Sequence, residues 1–218
     1  MKILGIIPAR GGSKGIPKKN IKLLNGKPLI AYTIANALAS NLDRVIVSTD
    51  NEEISRISKE CGAEVIIRPD HLAEDKTPTL HVLQDVVSRL DEKFDCVMTL
   101  QPTSPLRNSE HINEAIKLFE SDKEADSLVS IVEVPHSYMP EKLMSLEGKY
   151  LFGNSDTKRR QDVPIMYARN GAAIYVTKTE KLNEFIFGGN TLPYFMSKID
   201  SFDIDDLEDW KIVERIIK

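Results

Sequence analysis

Along the first two-thirds of the chain, short Val- and Ile-rich runs alternate with longer stretches whose apolar residues recur at helical spacing. Ile3–Pro8, Arg44–Ser48, Glu64–Ile67, Asp95–Leu100 and Leu128–Val134 read as strands. Pro28–Leu38, Glu52–Cys61, Leu80–Leu90 and Ser109–Glu120 read as the helices between them. Strands apolar on both faces, separated by amphipathic helices, predict an α/β fold with a mostly parallel sheet covered on both sides. The regularity stops near Pro135. From there to Tyr167 prolines, charges and scattered Met and Tyr follow no strong period. A stretch of that length is too long for an idle loop, so it reads as a flexible lid or as an arm that packs on a second subunit. A strand returns at Ala172–Val176, and Trp210–Ile217 closes the chain as a helix.

The 218 residues, 41% of them hydrophobic, suffice for one sizeable core, so the reading is a single domain over 1–218 with an excursion at about 135–168. A formal net charge of −4 excludes a strongly basic nucleic-acid binder and leaves room for a local pocket that takes a small anion. No apolar run is long enough for a leader or a membrane span, so no membrane partner is expected. Cys61 and Cys96 lie far apart without CxxC spacing and read as packed thiols of a reducing compartment, the cytoplasm.

Candidate chemistry begins directly after the first strand, at Ala9-Arg10-Gly11-Gly12-Ser13-Lys14-Gly15-Ile16-Pro17-Lys18-Lys19-Asn20. Its glycines let main-chain N–H groups approach a ligand, and its four cations can neutralise a polyphosphate. In an open α/β sheet such a loop lies at the ligand-binding ends of the strands. The spacing is neither GxxxxGK[ST] nor GxGxxG, which weakens kinase and dehydrogenase readings.

Four further segments carry polar groups at strand ends. After the third strand come Arg68-Pro69, Asp75, Thr77 and Thr79, with Thr77 placed to cap the next helix. Leu100-Gln101-Pro102-Thr103-Ser104-Pro105-Leu106-Arg107 is a rigid turn that aims Gln101 at the crevice. Arg159, Arg160 and Gln161 lead into Tyr167–Tyr175, where Arg169 precedes Asn170-Gly171 and could hold a carboxylate with a bidentate guanidinium. In Asp203-Ile204-Asp205 an extended backbone points both carboxylates to one face, where they could share a hard divalent cation; Asp206 reads as the cap of the last helix. The four histidines form no ligand pattern.

These segments, in this order, closely resemble the signatures of the cytidylyltransferases that make CMP-activated acylneuraminates, including those acting on legionaminic or pseudaminic acid. The likeness runs from Ile3 to about Ile212. It implies a Rossmann-like three-layer sandwich and Mg²⁺-dependent transfer of CMP from CTP to an acidic nine-carbon sugar, with Mn²⁺ as a possible substitute. The resemblance assigns the nucleotide to Arg10, Gly11, Gly12, Ser13, Lys14, Lys19, Asn20, Arg68, Thr77 and Thr79. Arg10, Lys14 and Lys19 would be the catalytic cations, and Asp203 and Asp205 the metal ligands. Gln101, Arg160, Arg169, Asn170, Tyr175 and Lys142 would face the sugar, Lys142 from the partner subunit. The stretch 135–168 would be a dimerisation arm, making the active unit a homodimer. Two other readings remain: a nucleotidyltransferase for Kdo or another sugar, and a nucleotide-binding regulatory module without turnover.

Overall fold

A computed structural model describes residues 1–13, 15–153, 164–171 and 173–217. Lys14 and Arg160, both expected at the site, therefore lie outside the described residues, as do Arg159, Gln161 and Ala172.

The strand and helix pattern of the first two-thirds holds closely. In chain order the elements are β1 (Ile3–Pro8), the two-residue strands β2 (Leu23–Leu24) and β3 (Lys27–Pro28), α1 (Leu29–Leu38), β4 (Arg44–Thr49), α2 (Glu52–Glu60), β5 (Glu64–Ile67), α3 (Thr79–Ser88), β6 (Cys96–Thr99), α4 (Ser109–Ser121) and β7 (Ser127–Glu133). Then follow β8 (Met144–Glu147), β9 (Tyr150–Gly153), β10 (Tyr167–Arg169), β11 (Tyr175–Lys178), β12 (Thr191–Phe195) and α5 (Leu207–Ile216).

The central sheet runs β7-β11-β6-β1-β4-β5, with β10 pairing β7 beyond the end of β11 and β12 on the outer side of β7. Strands β6, β1, β4 and β5 are mutually parallel, β12 is parallel to β7, and β10 and β11 run antiparallel to their neighbours. Alternate residues of each strand feed two apolar layers. Ile3, Ile7, Val45, Val47 and Met98 pack with Ile30, Ile34, Ile54 and Ile112 from α1, α2 and α4. Leu4, Ile6, Ile46 and Val97 pack with Leu83 and Val86 of α3. A third cluster joins Leu24 and Leu29 to Trp210 and Val213, seating α5 beside the loop that follows β1.

Three features were not foreseen. Strand β12 contains Pro193, which lacks a ladder N–H and marks an edge strand, and no strand was read there. The expected strand at Ala172–Val176 begins only at Tyr175. Before it, β10 and β11 share one flank of β7, yet the six steps from Arg169 to Tyr175 oppose only the two from Ile131 to Val129. Asn170–Gly171 and Ala173–Ile174 are the described part of the resulting bulge. Within the expected arm, β8 and β9 form a hairpin exposed along its whole length.

Candidate active site

The loop after β1 and the segment before α5, almost a whole chain apart in sequence, meet at the sheet's carboxyl edge. Lys19 begins a short 3-10 turn, and its Nζ donates to the carbonyl oxygen of Ile204 at 2.8 Å. That carbonyl lies between the two aspartates. Gly15 lies so close that a Cβ there would stand 2.5 Å from the Asp205 carbonyl oxygen, so only glycine lets the loop reach this segment. Ile204 is buried, and its N–H donates to the Thr103 carbonyl oxygen at 2.8 Å. The acidic segment is thus pinned between the Gly-rich loop and the turn after β6. The aspartates are not in a paired strand, yet both line one cavity of about 420 Å³ with Arg10, Ser13, Lys19 and Gln101.

The two carboxylates differ in surroundings. Asp203 is mostly enclosed, and Ser104 Oγ donates to its Oδ1 at 3.1 Å. Burial, with the nearby charge of Asp205, raises the Asp203 pKa; the hydroxyls of Thr103 and Ser104 and the Lys19 ammonium oppose that rise. Asp205 is exposed at the cavity mouth. Asp206 caps α5 as expected, accepting from Glu208 N–H at 2.7 Å and Asp209 N–H at 3.0 Å. Its carboxylate is occupied there. Among the described residues no group of three or more His, Cys, Asp or Glu converges as a metal cage.

A second cavity of about 260 Å³ shares Pro8, Arg10 and Gln101 with the first and is lined further by Arg68, Thr77 and Thr79. Arg10 bridges the two and pairs with Asp75, Nη1 to Oδ1 at 2.7 Å. Arg68 is buried and spent on scaffolding: its Nη2 donates to the Ser48 carbonyl at 2.9 Å and its Nη1 to that of Leu72 at 3.3 Å. Thr77 does not cap α3, whose N-cap is Pro78; its hydroxyl donates to the His71 carbonyl at 2.8 Å instead. Asn20 lines the larger cavity while its Nδ2 donates to the Arg10 carbonyl at 3.0 Å, which holds the loop's shape. Gly11 N–H donates to Asp50 Oδ1 at 2.9 Å, so this amide is already engaged, while Gly12 has open space beside it.

Of the residues expected on the sugar, Gln101 lines both cavities. The others sit differently. Asn170 is buried: its Oδ1 accepts from Ser130 Oγ at 2.6 Å, and its Nδ2 donates to Ser201 Oγ at 3.0 Å and to Met196 Sδ at 3.2 Å. That side chain holds the bulge in place and is not free for a ligand. Tyr175 is buried in the sheet beside the Phe187 ring and lines neither of these two cavities. Arg169 is exposed, its guanidinium carbon 4.5 Å from the Phe187 ring centroid and its Nη1 donating to Tyr175 Oη at 3.4 Å. Lys142 is exposed on the arm and lines neither of the two cavities.

Two participants went unassigned. Phe187, the platform under Arg169, lies in a Phe-Ile-Phe-Gly-Gly run without period. Arg107 ends the turn after β6 and is fully buried. An arginine at the end of an apolar-proline turn, followed by a helix, was the available signal.

A family model described as cytidylyltransferase matches residues 4–200. The chain belongs to the cytidylyltransferase family. Among the relatives of this cytidylyltransferase is N-acylneuraminate cytidylyltransferase of Escherichia coli. It is 36% identical over 217 residues, covering 97% of this chain and 51% of that one. CMP-N,N'-diacetyllegionaminic acid synthase of Legionella pneumophila is 35% identical over 233 residues, covering 100% and 97%. Post-translational flagellin modification protein B of Campylobacter coli is 36% identical over 226 residues, covering 100% and 95%. The chain thus spans about half the length of the first relative and nearly all of the other two. Among solved structures, a CMP-Kdo synthetase complexed with CTP matches at a TM-score of 0.78 and 16% identity, covering 100% of this chain and 98% of that one. At that identity the likeness is one of fold, and it agrees with the Rossmann-like three-layer architecture. No helix among the described residues is long and apolar enough to cross a membrane.

Proposed function

We propose that this cytidylyltransferase moves CMP from CTP to the anomeric hydroxyl of a nonulosonic acid and releases pyrophosphate. The observation that carries the reading is the hydrogen bond from Lys19 to Ile204, which brings a cationic phosphate-type loop against a pair of carboxylates in one cavity. The names of the relatives supply the acceptor class: an acylneuraminate and a diacetyllegionaminate.

In this reading Arg10, Ser13, Lys14 and Lys19 bind the triphosphate, and Arg10 exchanges Asp75 for a phosphate oxygen. Lys19 stabilises charge that builds on the phosphates as the bridging bond breaks, from a site that needs little reorganisation. Gln101, at the junction of the two cavities, orients the acceptor between base and metal halves. Thr77 and Thr79 line the half that would take the nucleoside, with Arg68 holding that wall. Arg169, exposed and charged on its aromatic platform, takes the acceptor's carboxylate.

The donor set fits a hard cation. Two carboxylates share a cavity, one of them desolvated and repelled by the other, and Mg²⁺ commonly takes only one or two protein carboxylates, completing its shell with water and phosphate. Asp203 and Asp205 would hold Mg²⁺, or Mn²⁺ in its place, and the ion would offset phosphate charge and make the acceptor hydroxyl more acidic.

The arm supports a homodimer. Leu146, Tyr150, Leu151 and Phe152 on the hairpin and Ile165 and Tyr167 behind it are exposed, at 69% for Leu146. That apolar surface is what a second copy would cover, and it would carry Lys142 towards the partner's site. Light scattering checks it: the parent should run as a dimer and Leu146→Asp with Phe152→Asp as a monomer. The two unpaired thiols support placement in the cytoplasm.

The deciding assay is pyrophosphate release with each nucleoside triphosphate against acylneuraminic, legionaminic, pseudaminic and Kdo acceptors, in EDTA and in Mg²⁺. Release that needs CTP, a nine-carbon acid and the metal supports the proposal. Turnover of Kdo alone would move the chain to the neighbouring chemistry, and CTP binding without release under every condition would make it a regulatory module.

A further inference from the structure

The turn after β6 and the bulge that carries Gly171 form two walls around the aspartates, and they are far apart in sequence. One side chain joins them. Arg107 Nη1 donates to the Ala173 carbonyl at 2.7 Å and to the Gln101 carbonyl at 3.2 Å, while Nη2 donates to Thr33 Oγ1 on α1 at 2.8 Å. Each acceptor comes from a different part of the chain. Two of them belong to backbone that sets the cavity: Gln101 lines it, and Ala173 lies in the bulge whose Gly171 abuts Asp203.

Burying this group is costly. Arg107 is fully enclosed, and among the described residues its Nε has no partner and no carboxylate bonds to it. Enclosure lowers its pKa, and the charge of Asp203 opposes that drop through space. An apolar residue could fill the same volume without desolvating a charge, so packing alone does not account for an arginine here. A guanidinium does what an apolar side chain cannot: its planar fork spans three separate acceptors at fixed angles.

We propose that Arg107 is a positioning residue that cross-links the Gln101 wall to the bulge at Ala173 and so sets the acceptor and metal halves of the site at their working separation. The inference rests on the catalytic reading above for its kinetics, and on the hydrogen-bond geometry alone for its structural consequence. The two are therefore measured separately.

Hydrogen exchange reads the cross-link without any substrate. In Arg107→Met, amides of 101–107 and of 170–174 should lose protection together, while β4 and β5 keep theirs. Loss at one segment only, or spread evenly through the sheet, overturns the proposal. Kinetics read its purpose. Arg107→Met should lower kcat about a hundredfold, the scale of a displacement of roughly 1 Å, and raise the acceptor KM several-fold with the CTP KM little changed. Arg107→Lys should behave like the methionine variant, because one ammonium cannot span three acceptors; full rescue by lysine would mean charge alone matters and would overturn the cross-link. A merely structural role would lower the active fraction with both KM values unchanged, which also overturns it. If the Arg107 variants are insoluble, Thr33→Val removes one acceptor and should still raise the acceptor KM, an unchanged value counting against the proposal. Should the parent release no pyrophosphate with any acceptor, the catalytic reading fails while the exchange experiment still decides the cross-link.

Discussion

Replacing Gly171 with alanine should separate catalysis from stability. Gly171 has φ of +64°, and a Cβ there would lie 2.4 Å from both Oδ2 and Cγ of Asp203. Ordinary contact begins near 3.4 Å, so the carboxylate must retreat by about 1 Å. The left-handed backbone alone costs an alanine about 1–2 kcal/mol. For a chain of this size that is a fall in melting midpoint of roughly 2–8 °C. The displaced carboxylate has a larger consequence, because a misplacement of about 1 Å at a reacting centre can cost on the order of a hundredfold in rate. Gly171→Ala should therefore stay folded at 25 °C, lose about a hundredfold in kcat and need more Mg²⁺ for half-activation. Pyrophosphate release at saturating CTP and acceptor, titrated with Mg²⁺, is the assay. Gly26→Ala is the control: its φ is +79° and a Cβ there meets nothing within 4 Å, so it carries the backbone cost alone. It should show a lowered midpoint and parental kcat. If Gly171→Ala keeps kcat within about threefold of the parent at the parent's Mg²⁺ requirement, Asp203 is not held where catalysis needs it, and the reasoning from this contact is wrong.

Lys19→Ala removes the ammonium between loop and acidic segment and should lower turnover at least about a hundredfold in a folded protein; kinetics like the parent's would take Lys19 out of the catalytic set. Arg169→Ala should raise the acceptor KM much more than the CTP KM, and Phe187→Ala should do the same to a lesser degree by removing its platform; equal effects on both substrates would count against a carboxylate role. Tyr194 Oη donates to Glu114 Oε2 at 2.5 Å, and burial with that neighbouring carboxylate raises the phenol's pKa in the fold. Its stabilising contribution is therefore complete below the unfolded value near 10 and is lost as pH rises beyond it, at about 1.4 kcal/mol per pH unit. Burial also raises the Cys96 thiol and the Tyr32 phenol, so urea unfolding between pH 10 and 11 should show a loss in both proteins that is shallower in Tyr194→Phe than in the parent; identical slopes would remove Tyr194 as a source.

The outcome along the chain shows which physical signals a sequence exposes. Ile3–Pro8 appears with the bounds expected of it because it is a short apolar run whose local pattern and tertiary burial agree, and Glu64–Ile67 keeps its bounds as a half-exposed strand at the sheet's edge. Strand β12 carries a proline and alternates only weakly, and its pairing with β7 is a long-range choice that no local window contains. The same division runs through the site. Lys19, Gln101, Asp203 and Asp205 were legible because they sit at strand ends or in charged clusters, where polar groups have no packing reason to gather. Asn170 and Tyr175 stand beside them in the same kind of motif, yet the fold turns both inward: Asn170 satisfies three side-chain partners, and Tyr175 shares a ladder with Thr99 and Val129. A motif records that a residue type is needed at a position. It does not record whether the ligand or the backbone needs it. The bulge between β10 and β11 makes the difference here, because its surplus residues bring Gly171 against Asp203 and leave Asn170 behind as the anchor. Arg107 is the extreme case: read from its neighbours it is one more cation in a turn, and only the three acceptors gathered around it by distant parts of the chain give it a task.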